Sequence, residues 1–189
     1  DFAIFNRSGY TGISAHTHIM WLGDQLVTFD RNDGLGSVPR LYLSAGLSGI
    51  ALTHSDIGGY TSFGSSIRTY ELWARWVTLE TFTPFMRTHH SGTPAPNLQW
   101  SSNEDTLRHY RDYGRWHQRL LPYWMQVVDE AVTKGAPAVR PVWWNEPDPT
   151  SLFDVDDAFS SAVIDSMNRR KGEMLDMRAA GAGKTRIVF

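Results

Sequence analysis

The feature that most constrains the fold is an alternation of short apolar segments with longer segments of helical spacing. The short segments predict four β-strands, at residues 2–7, 18–22, 49–53 and 85–89. Between them, apolar residues recur at intervals of three and four, which predicts helices at residues 35–48 and 65–82. The second helix should carry an apolar stripe of Tyr70, Trp73, Ala74, Val77 and Phe82. Strands that alternate with helices are typical of an α/β protein with a parallel sheet.

Polar side chains follow the predicted strands at their carboxyl ends. Arg7, Asp24, Asp56 and His89 occupy these positions. Parallel strands end at the same edge of a sheet, so we expect these side chains to lie near one another. A (β/α)₈ TIM barrel keeps its active site at that edge. Four strand–loop–helix units would form half of such a barrel.

The pattern of the sequence changes in the part of the chain that follows residue 104. Residues 104–133 have helical character with a break at Pro122, and residues 137–144 read as a strand. Residues 145–151 are rich in turn formers, and residues 160–171 are polar and helix-like. We therefore expect the organisation of the chain to change near residue 145.

Composition excludes several classes of protein. Of the 189 residues, 41% are hydrophobic and 20% are charged, with a net charge of −2, which indicates an ordinary globular protein without a nucleic-acid or anionic-membrane surface. The chain has no cysteine, no signal-peptide pattern and no apolar run of membrane-spanning length. Aromatic residues make up 13% of the chain, which fits either a packed core or the walls of a sugar site.

Asp24 is the strongest candidate for acid–base chemistry, in the segment Trp21-Leu22-Gly23-Asp24-Gln25. Apolar neighbours such as Trp21 disfavour ionisation of a carboxyl group, which suits it to protonate a leaving oxygen near neutral pH. The alternative is that Asp24 caps the next helix, a common role for aspartate. This segment alone leaves both interpretations open.

Three further patterns have simpler interpretations. The pair Gly58-Gly59 predicts a sharp turn in which the backbone approaches a neighbour closely. The pairs His16/His18 and His89-His90 lack a carboxylate at a familiar spacing, so no metal site is predicted. Residues 181–185, Gly-Ala-Gly-Lys-Thr, lack the first glycine of a phosphate-binding loop, because position 178 is Arg, and they predict a surface turn.

Together, these motifs resemble glycoside hydrolase family 31. The resemblance rests on four segments in the family's order and spacing: 6–12 (NRSGYTG), 21–25 (WLGDQ), 54–60 (HSDIGGY) and 82–89 (FTPFMRTH). It implies that residues 1–136 form the C-terminal half of a catalytic (β/α)₈ barrel. It also implies that residues 137–189 begin a β-sandwich domain with a divergent tail, since residues 139–141 and 154–159 are similar to the family's barrel exit and sandwich start.

The resemblance implies a function for individual residues. The family hydrolyses α-glycosides with retention, without a metal or other cofactor, and its acid/base matches Asp24. Arg7 and His89 match residues that bind sugar hydroxyls, Trp21 matches an aromatic wall, and Asp56 matches a polar support of the same pocket. The expected partner is therefore a carbohydrate, with no nucleic acid and no membrane.

Gln25 and Tyr60, which the resemblance also implies to be substrate-binding residues, point to one branch of the family. The segments Gly-Asp-Gln and Gly-Gly-Tyr-Thr are similar to those of α-sulfoquinovosidases, which cleave the sulfonated head-group sugar of plant and algal sulfolipid. In that branch the residue that matches Tyr60 helps to hold the sulfonate. A cytoplasmic location would follow if the protein is like the bacterial members; the sequence itself indicates no compartment or oligomeric state.

The resemblance also implies what this chain lacks. The family's nucleophile lies on a strand before Arg7, as do the branch's main sulfonate-binding Arg and Trp, and Asp1 lacks the nucleophile's flanking motif. We therefore expect an internal piece of a longer enzyme, inactive by itself. Two alternatives stay open: an α-glucosidase or α-xylosidase of the same family, and a non-catalytic carbohydrate-binding relic.

Overall fold

The structure is a computed structural model in which residues 3–63, 66–93, 96–141, 144, 152–156, 160–161, 164–165, 174 and 176–188 are described. The chain divides into two compact units, Asp1–Arg140 and Pro141–Phe189. The division falls after Arg140, close to the boundary after residue 136 that the sequence suggests. Each unit is described below by itself.

The first unit contains parallel strands, as the alternation predicted. The strands are β1 (Phe5–Asn6), β2 (Ile19–Trp21), β3 (Thr53–His54), β4 (Asp56–Ile57) and β5 (Arg87–Thr88). β1, β2 and β3 pair in that order, and β4 pairs with β5, all in parallel. Only Ser55 separates β3 from β4, so one extended stretch pairs with β2 through its first half and with β5 through its second.

Four α-helices follow the strands or connect them. The first two connect β2 to β3 and β4 to β5, as expected of crossovers in a parallel sheet. The break predicted at Pro122 is confirmed: one helix ends at Arg119 and the next begins at Leu121, with the proline in its first turn. The helices are α1 (Val38–Leu47), which follows a 3-10 turn at Leu35–Ser37, α2 (Tyr70–Thr81), α3 (Glu104–Arg119) and α4 (Leu121–Lys134).

The apolar face of α2 differs from the one that the sequence suggested. Trp73 and Val77 are buried as expected, together with Trp76, and they pack with Val38 and Ile57 in the main hydrophobic cluster. Two other expected members of the stripe, Tyr70 and Phe82, are exposed. They lie at the first helical residue and just past the last one, and Thr69 caps the helix start through its side chain.

The strands are shorter than predicted, and one is not found where it was expected. Residues 49–52 form no strand, because Gly49 ends α1 in a left-handed conformation and the Ile50 N–H donates back to the Ala45 carbonyl. The strand predicted at 137–144 is wrong for residues 137–141, where two prolines lack the N–H that a ladder needs. Positions 142–143 and the turn-rich segment 145–151 lie outside the described residues.

The second unit contains an antiparallel sheet in which β8 (Lys184–Val188) lies between β6 (Leu152–Asp156) and β7 (Asp176–Gly181). The surface turn predicted at residues 181–185 is confirmed, because Ala182 and Gly183 form the exposed tip of the β7–β8 hairpin. Described residues 160–161 and 164–165 are helical, in agreement with the helix-like sequence there. Among the described residues of either unit, no helix is long and apolar enough to span a membrane.

Candidate active site

Arg7 and Asp24 come together at the carboxyl ends of β1 and β2. Because these strands are parallel neighbours, the loops that follow them start side by side. Arg7 Nε donates a hydrogen bond to Asp24 Oδ1 over 3.3 Å, and the two side chains are 56% and 35% exposed. The helix-cap alternative for Asp24 is wrong, since the next helical turn begins only at Leu35. The Asp24 carboxylate is therefore accessible and held by one arginine.

The loop that carries Asp24 is joined to the loop that follows β4. The backbone N–H groups of Tyr60 and Thr61 both donate to the Gln25 carbonyl, over 2.8 and 2.9 Å. The Thr61 hydroxyl donates to the Asp24 carbonyl over 2.8 Å. These bonds fix the backbone that directly follows the Asp24 side chain, and they place Tyr60 beside the site.

Three aromatic rings form a continuous wall. The rings of Trp21 and Tyr60 meet edge to face with centroids 6.0 Å apart, and the rings of Tyr60 and His89 lie 4.9 Å apart. The guanidinium carbons of Arg7 and Arg87 lie 5.7 and 5.4 Å from the Trp21 ring centroid. An aromatic face flanked by cations and hydrogen-bonding groups suits a sugar ring, whose C–H face is apolar and whose rim is polar.

Asp56 is the buried acidic group of the site. Its carboxylate forms an ion pair with Arg87 on the neighbouring β5, and its side chain is fully buried. Burial raises the pKa of Asp56 to about 6, although the nearby positive charges of Arg87 and Arg68 act in the opposite direction. The Asp56 carboxylate is therefore held in place by its ion pair with Arg87.

His89 packs its ring against the Tyr60 ring, and its hydrogen bonds indicate the protonation of the imidazole. Its Nδ1 accepts a hydrogen bond from the Ser91 N–H over 3.0 Å, which leaves Nε2 as the donor in the neutral ring. Burial and the charge of Arg87 lower the pKa of His89, so the neutral form is favoured. A neutral imidazole that donates through Nε2 can bind a sugar hydroxyl.

Gln25 is placed differently from the other predicted substrate contacts. Its side chain is buried, and Nε2 donates to the Leu22 carbonyl over 2.9 Å. The main-chain carbonyl of Gln25 accepts the hydrogen bonds from the Tyr60 and Thr61 N–H groups described above. The observed contacts of Gln25 therefore shape the Asp24 loop, and a direct contact with substrate stays a prediction.

Sequence reasoning did not single out Arg87 and His54 as site residues. Arg87 pairs with Asp56 and stacks over Trp21 and Phe5, so it contacts both the buried acid and the aromatic wall. His54 is fully buried beside Phe5, and burial, together with Arg87, lowers its pKa to about 3. Both residues lie within motifs quoted above, and alternation along the strand-end segment 54–56 was a usable signal for His54.

Several buried polar atoms at this site have no hydrogen-bond partner among the described residues. They are Trp21 Nε1, Gln25 Oε1, Asp56 Oδ2, Arg87 Nε and both ring nitrogens of His54. Buried polar groups are normally satisfied, so a cluster of unsatisfied ones indicates a place where further polar groups bind. Across the described residues, no group of three His, Cys, Asp or Glu side chains could hold a metal ion.

A groove of about 570 Å³ lies beside this site and includes part of it. It is lined by Arg7 and Trp21, by the loop of residues 8–14 and by the end of α1, but it contains neither Asp24 nor His89. The candidate site is thus the strand-end surface that joins Arg7, Asp24, Trp21, Tyr60 and His89, rather than this groove.

Comparison with known proteins identifies the family. Residues 2–127 match the domain described as the glycosyl hydrolases family 31 TIM-barrel domain. The chain belongs to glycoside hydrolase family 31. The resemblance drawn from the four sequence segments is therefore confirmed, and the parallel strands described above belong to this family's barrel domain.

Relatives within family 31 include sulfoquinovosidases. The chain is 41% identical over 155 residues to a sulfoquinovosidase of Agrobacterium fabrum, and 36% identical over 153 residues to that of Escherichia coli; these alignments cover 82% and 81% of this chain and 23% of each relative. A family 31 sulfoquinovosidase from E. rectale, solved with an aza-sugar inhibitor, matches with a TM-score of 0.73 and 43% identity, over 78% of this chain and 22% of that one. The chain thus spans about a quarter of the length of these relatives.

Proposed function

We propose that this chain is part of a longer retaining α-glycosidase that cleaves α-sulfoquinovosides. That longer protein is called the full-length enzyme below. The observation that carries the proposal is the accessible Asp24 carboxylate paired with Arg7 at the ends of two parallel barrel strands. The similarity of the chain to sulfoquinovosidases, at 41% and 43% sequence identity, supports the choice of substrate.

Asp24 has the role of general acid and then general base. Its protonated carboxyl gives a proton to the glycosidic oxygen as the bond to the anomeric carbon breaks. The resulting carboxylate then takes a proton from the water that attacks the glycosyl-enzyme intermediate. Both steps need a carboxyl group that substrate and water can reach, and the 35% exposure of the Asp24 side chain meets that need.

The nucleophile is a second carboxylate, about 5–5.5 Å from the first in retaining enzymes. Asp56 is poorly suited to this role, because it is fully buried and its charge is already paired with Arg87. The family resemblance places the nucleophile on a strand before Arg7, in the full-length enzyme. Double displacement then requires both parts of the barrel, and we propose that the present chain is inactive by itself.

The remaining site residues bind and orient the sugar. Arg7 and His89 donate hydrogen bonds to ring hydroxyls, and Trp21 packs against the apolar face of the sugar. Tyr60 adds a hydroxyl donor next to His89, where we place the sulfonate of the substrate. Asp56 supports the pocket through Arg87, while Gln25 holds the Asp24 loop. No metal or other cofactor takes part in this mechanism.

The two domains that the family resemblance implies have different proposed roles. Residues 1–136 supply the C-terminal half of the catalytic barrel. Residues 137–189 begin a β-sandwich domain, a proposal supported by the antiparallel sheet of β6, β7 and β8.

The test compares hydrolysis of an aryl α-sulfoquinovoside with that of the aryl α-glucoside by the full-length enzyme. The two substrates share one leaving group and differ only in the sulfonate. We expect a higher kcat/KM for the sulfoquinovoside. A preference for the glucoside would transfer the proposal to the α-glucosidase alternative, and hydrolysis of neither substrate would favour the non-catalytic relic.

A further inference from the structure

Arg68 is a buried arginine that the proposed mechanism does not use. It lies just before α2 and is 1% exposed. Its guanidinium donates four hydrogen bonds, all to backbone carbonyls: to Gly58 over 3.0 Å, Gly59 over 2.5 Å, His89 over 3.0 Å and Leu98 over 3.0 Å. The Arg68 side chain thus forms hydrogen bonds with three separate stretches of backbone.

These carbonyls belong to the segments that carry the aromatic wall. Gly58 and Gly59 form the turn that leads directly into Tyr60, and the third carbonyl is that of His89 itself. The Tyr60 carbonyl in turn accepts a hydrogen bond from the Gly92 N–H over 3.1 Å. Arg68 therefore ties together the backbones on which the Tyr60 and His89 rings are mounted, and those rings lie 4.9 Å apart.

Neighbouring amide side chains strengthen the same connection. Gln99 Nε2 donates to the His89 carbonyl over 2.7 Å, so that carbonyl accepts from both Arg68 and Gln99. The Arg68 N–H donates to Asn97 Oδ1, and Asn97 Nδ2 lies 2.8 Å from Ser62 Oγ and 2.7 Å from Ser91 Oγ. The loops after β4 and β5 are thus joined by polar side chains rather than by a ladder of backbone bonds.

The guanidinium is packed closely against the glycine turn. Gly58 has a φ of +86°, and a Cβ at this position would overlap Cδ and Nε of Arg68. Burial lowers the pKa of Arg68 to about 10, while the nearby Asp56 charge opposes this shift. A planar fork of donors can satisfy several carbonyls at once, whereas a lysine at this position would offer one compact ammonium group.

Building on the proposed function, we propose that Arg68 is a positioning residue for substrate selection. It sets the separation of the Tyr60 and His89 rings, and with it the fit of a sulfonated sugar against an unsulfonated one. Arg68 itself does not touch the substrate, since its guanidinium is buried behind the loops and bonded to their carbonyls.

The test uses Arg68→Met, Arg68→Lys and Arg68→Ala in the full-length enzyme. Arg75→Met is the matched control, because Arg75 lies on α2, is exposed and pairs with the exposed Glu71. In Arg68→Met we expect KM for the aryl α-sulfoquinovoside to rise by about 10-fold or more, as expected for about 1.4 kcal/mol of lost binding energy. Its kcat should change less, and the preference over the aryl α-glucoside should fall by a similar factor.

Chemical rescue separates a positioning role from a general loss of stability. In Arg68→Ala, added guanidinium ion should restore the preference for the sulfoquinovoside, and ammonium at the same concentration should not. Arg68→Lys should lie between wild type and Arg68→Met, and it keeps the test available if Arg68→Met does not fold. A folded Arg68→Lys and Arg68→Ala with the wild-type preference would overturn the proposal.

Hydrogen exchange gives a readout that does not depend on activity. The Thr61 and Gly92 amides, whose acceptors are the Gln25 and Tyr60 carbonyls, should exchange faster in Arg68→Met and Arg68→Ala than in wild type or Arg75→Met. If wild type hydrolyses neither substrate, the proposed function fails, and exchange alone then decides the positioning role. Unchanged exchange in the Arg68 variants would overturn that role whatever the substrate.

Discussion

Two carboxylates of this barrel segment, Asp24 and Asp56, each pair with an arginine on a neighbouring strand end, but they do so in opposite environments. In the Arg7–Asp24 pair, Nε and Oδ1 lie 3.3 Å apart and both side chains are open to solvent. Asp56, by contrast, is fully buried against Arg87. An exposed ion pair contributes about 0–1 kcal/mol and breaks readily, while a buried one resists separation. An aspartate–arginine pair thus provides a carboxylate that can leave its partner at Asp24 and a fixed support at Asp56.

The loops around the two carboxylates differ in the same way. Gly23, next to Asp24, has a φ of +94°, and a Cβ added there would meet open space. Gly58, two residues after Asp56, has a similar φ of +86° but is packed against Arg68. A proton-transfer residue needs access to substrate and water, and a supporting residue needs immobility. The contrast predicts different consequences for matched substitutions on the two sides.

The largest effect should come from Asp24→Asn in the full-length enzyme. General acid–base groups contribute about 10²–10⁴-fold to rate, and an amide cannot give or take the proton. We expect kcat to fall by about that factor for alkyl glycosides, whose leaving groups need protonation. The fall should be much smaller for glycosylation with activated aryl glycosides. Steady-state and burst kinetics on both substrate types measure the difference.

Asp105→Asn is the matched control for Asp24→Asn. Asp105 is also an exposed aspartate paired with an arginine, Arg108, but it lies on α3 away from the strand ends. Its substitution should leave kcat within about twofold, because surface ion pairs contribute little. An equal loss on both leaving groups in Asp24→Asn would count against the acid role.

The second effect concerns stability, and it compares Arg87→Met with Arg7→Met. Arg87→Met leaves the Asp56 charge buried without its partner, which should lower the free energy of unfolding by about 3–5 kcal/mol. Arg7→Met removes one side of an exposed pair and should cost less than about 1 kcal/mol. Urea unfolding of the two variants measures both values. Equal losses would mean that the two pairs do not differ as their burial suggests.

The comparison also shows which parts of the site the sequence could predict. Arg7, Asp24, Asp56 and His89 were placed together because strand ends in a parallel sheet share an edge, and backbone pattern alone carries that information. Whether a carboxylate at such an end is open or buried depends on residues distant in sequence. Asp56 and Arg87, for example, are 31 residues apart.

Side-chain direction was harder to predict than position. Arg68 and Glu80 are charged residues within the predicted helix at 65–82, yet both are buried, because their partners come from loops and from α1. Gln25 is a substrate contact only by family resemblance, and nothing in the sequence indicated that its amide bonds to the Leu22 carbonyl. No local pattern distinguishes a polar side chain that faces solvent from one that satisfies a distant buried group.

The third prediction concerns Glu80, a buried carboxyl group on α2 that lies near Asp56. Ser55, Tyr42 and Thr83 donate hydrogen bonds to it, but burial outweighs them and raises its pKa to about 7. In the range between 4.5 and 7 the folded protein therefore keeps a proton that the unfolded chain has lost. The stability contribution is present at low pH and is lost as pH rises through 7, on the order of 3 kcal/mol in total.

Glu80→Gln should remove this part of the pH dependence. An amide fits the site, since Oε1 can accept from Tyr42 and Ser55 while Nε2 donates to Thr83 Oγ1. Urea midpoints from about pH 5 to about pH 8 should decline less steeply than in wild type. Glu71→Gln, on the exposed side of α2, is the control and should keep the wild-type slope. A wild-type slope in Glu80→Gln would show that another group dominates.

The smallest effect should separate Gly58→Ala from Gly23→Ala. Both substitutions put a Cβ on a residue of positive φ, which costs about 1–2 kcal/mol in either loop. Only Gly58→Ala also forces the new methyl group against the buried Arg68, which should add about 1–3 kcal/mol. The difference between the two unfolding free energies cancels the backbone strain and measures the packing of Arg68 alone. It should vanish in an Arg68→Ala background, because the methyl group then has room; a difference that persists there would mean that something other than Arg68 makes the Asp56 side rigid.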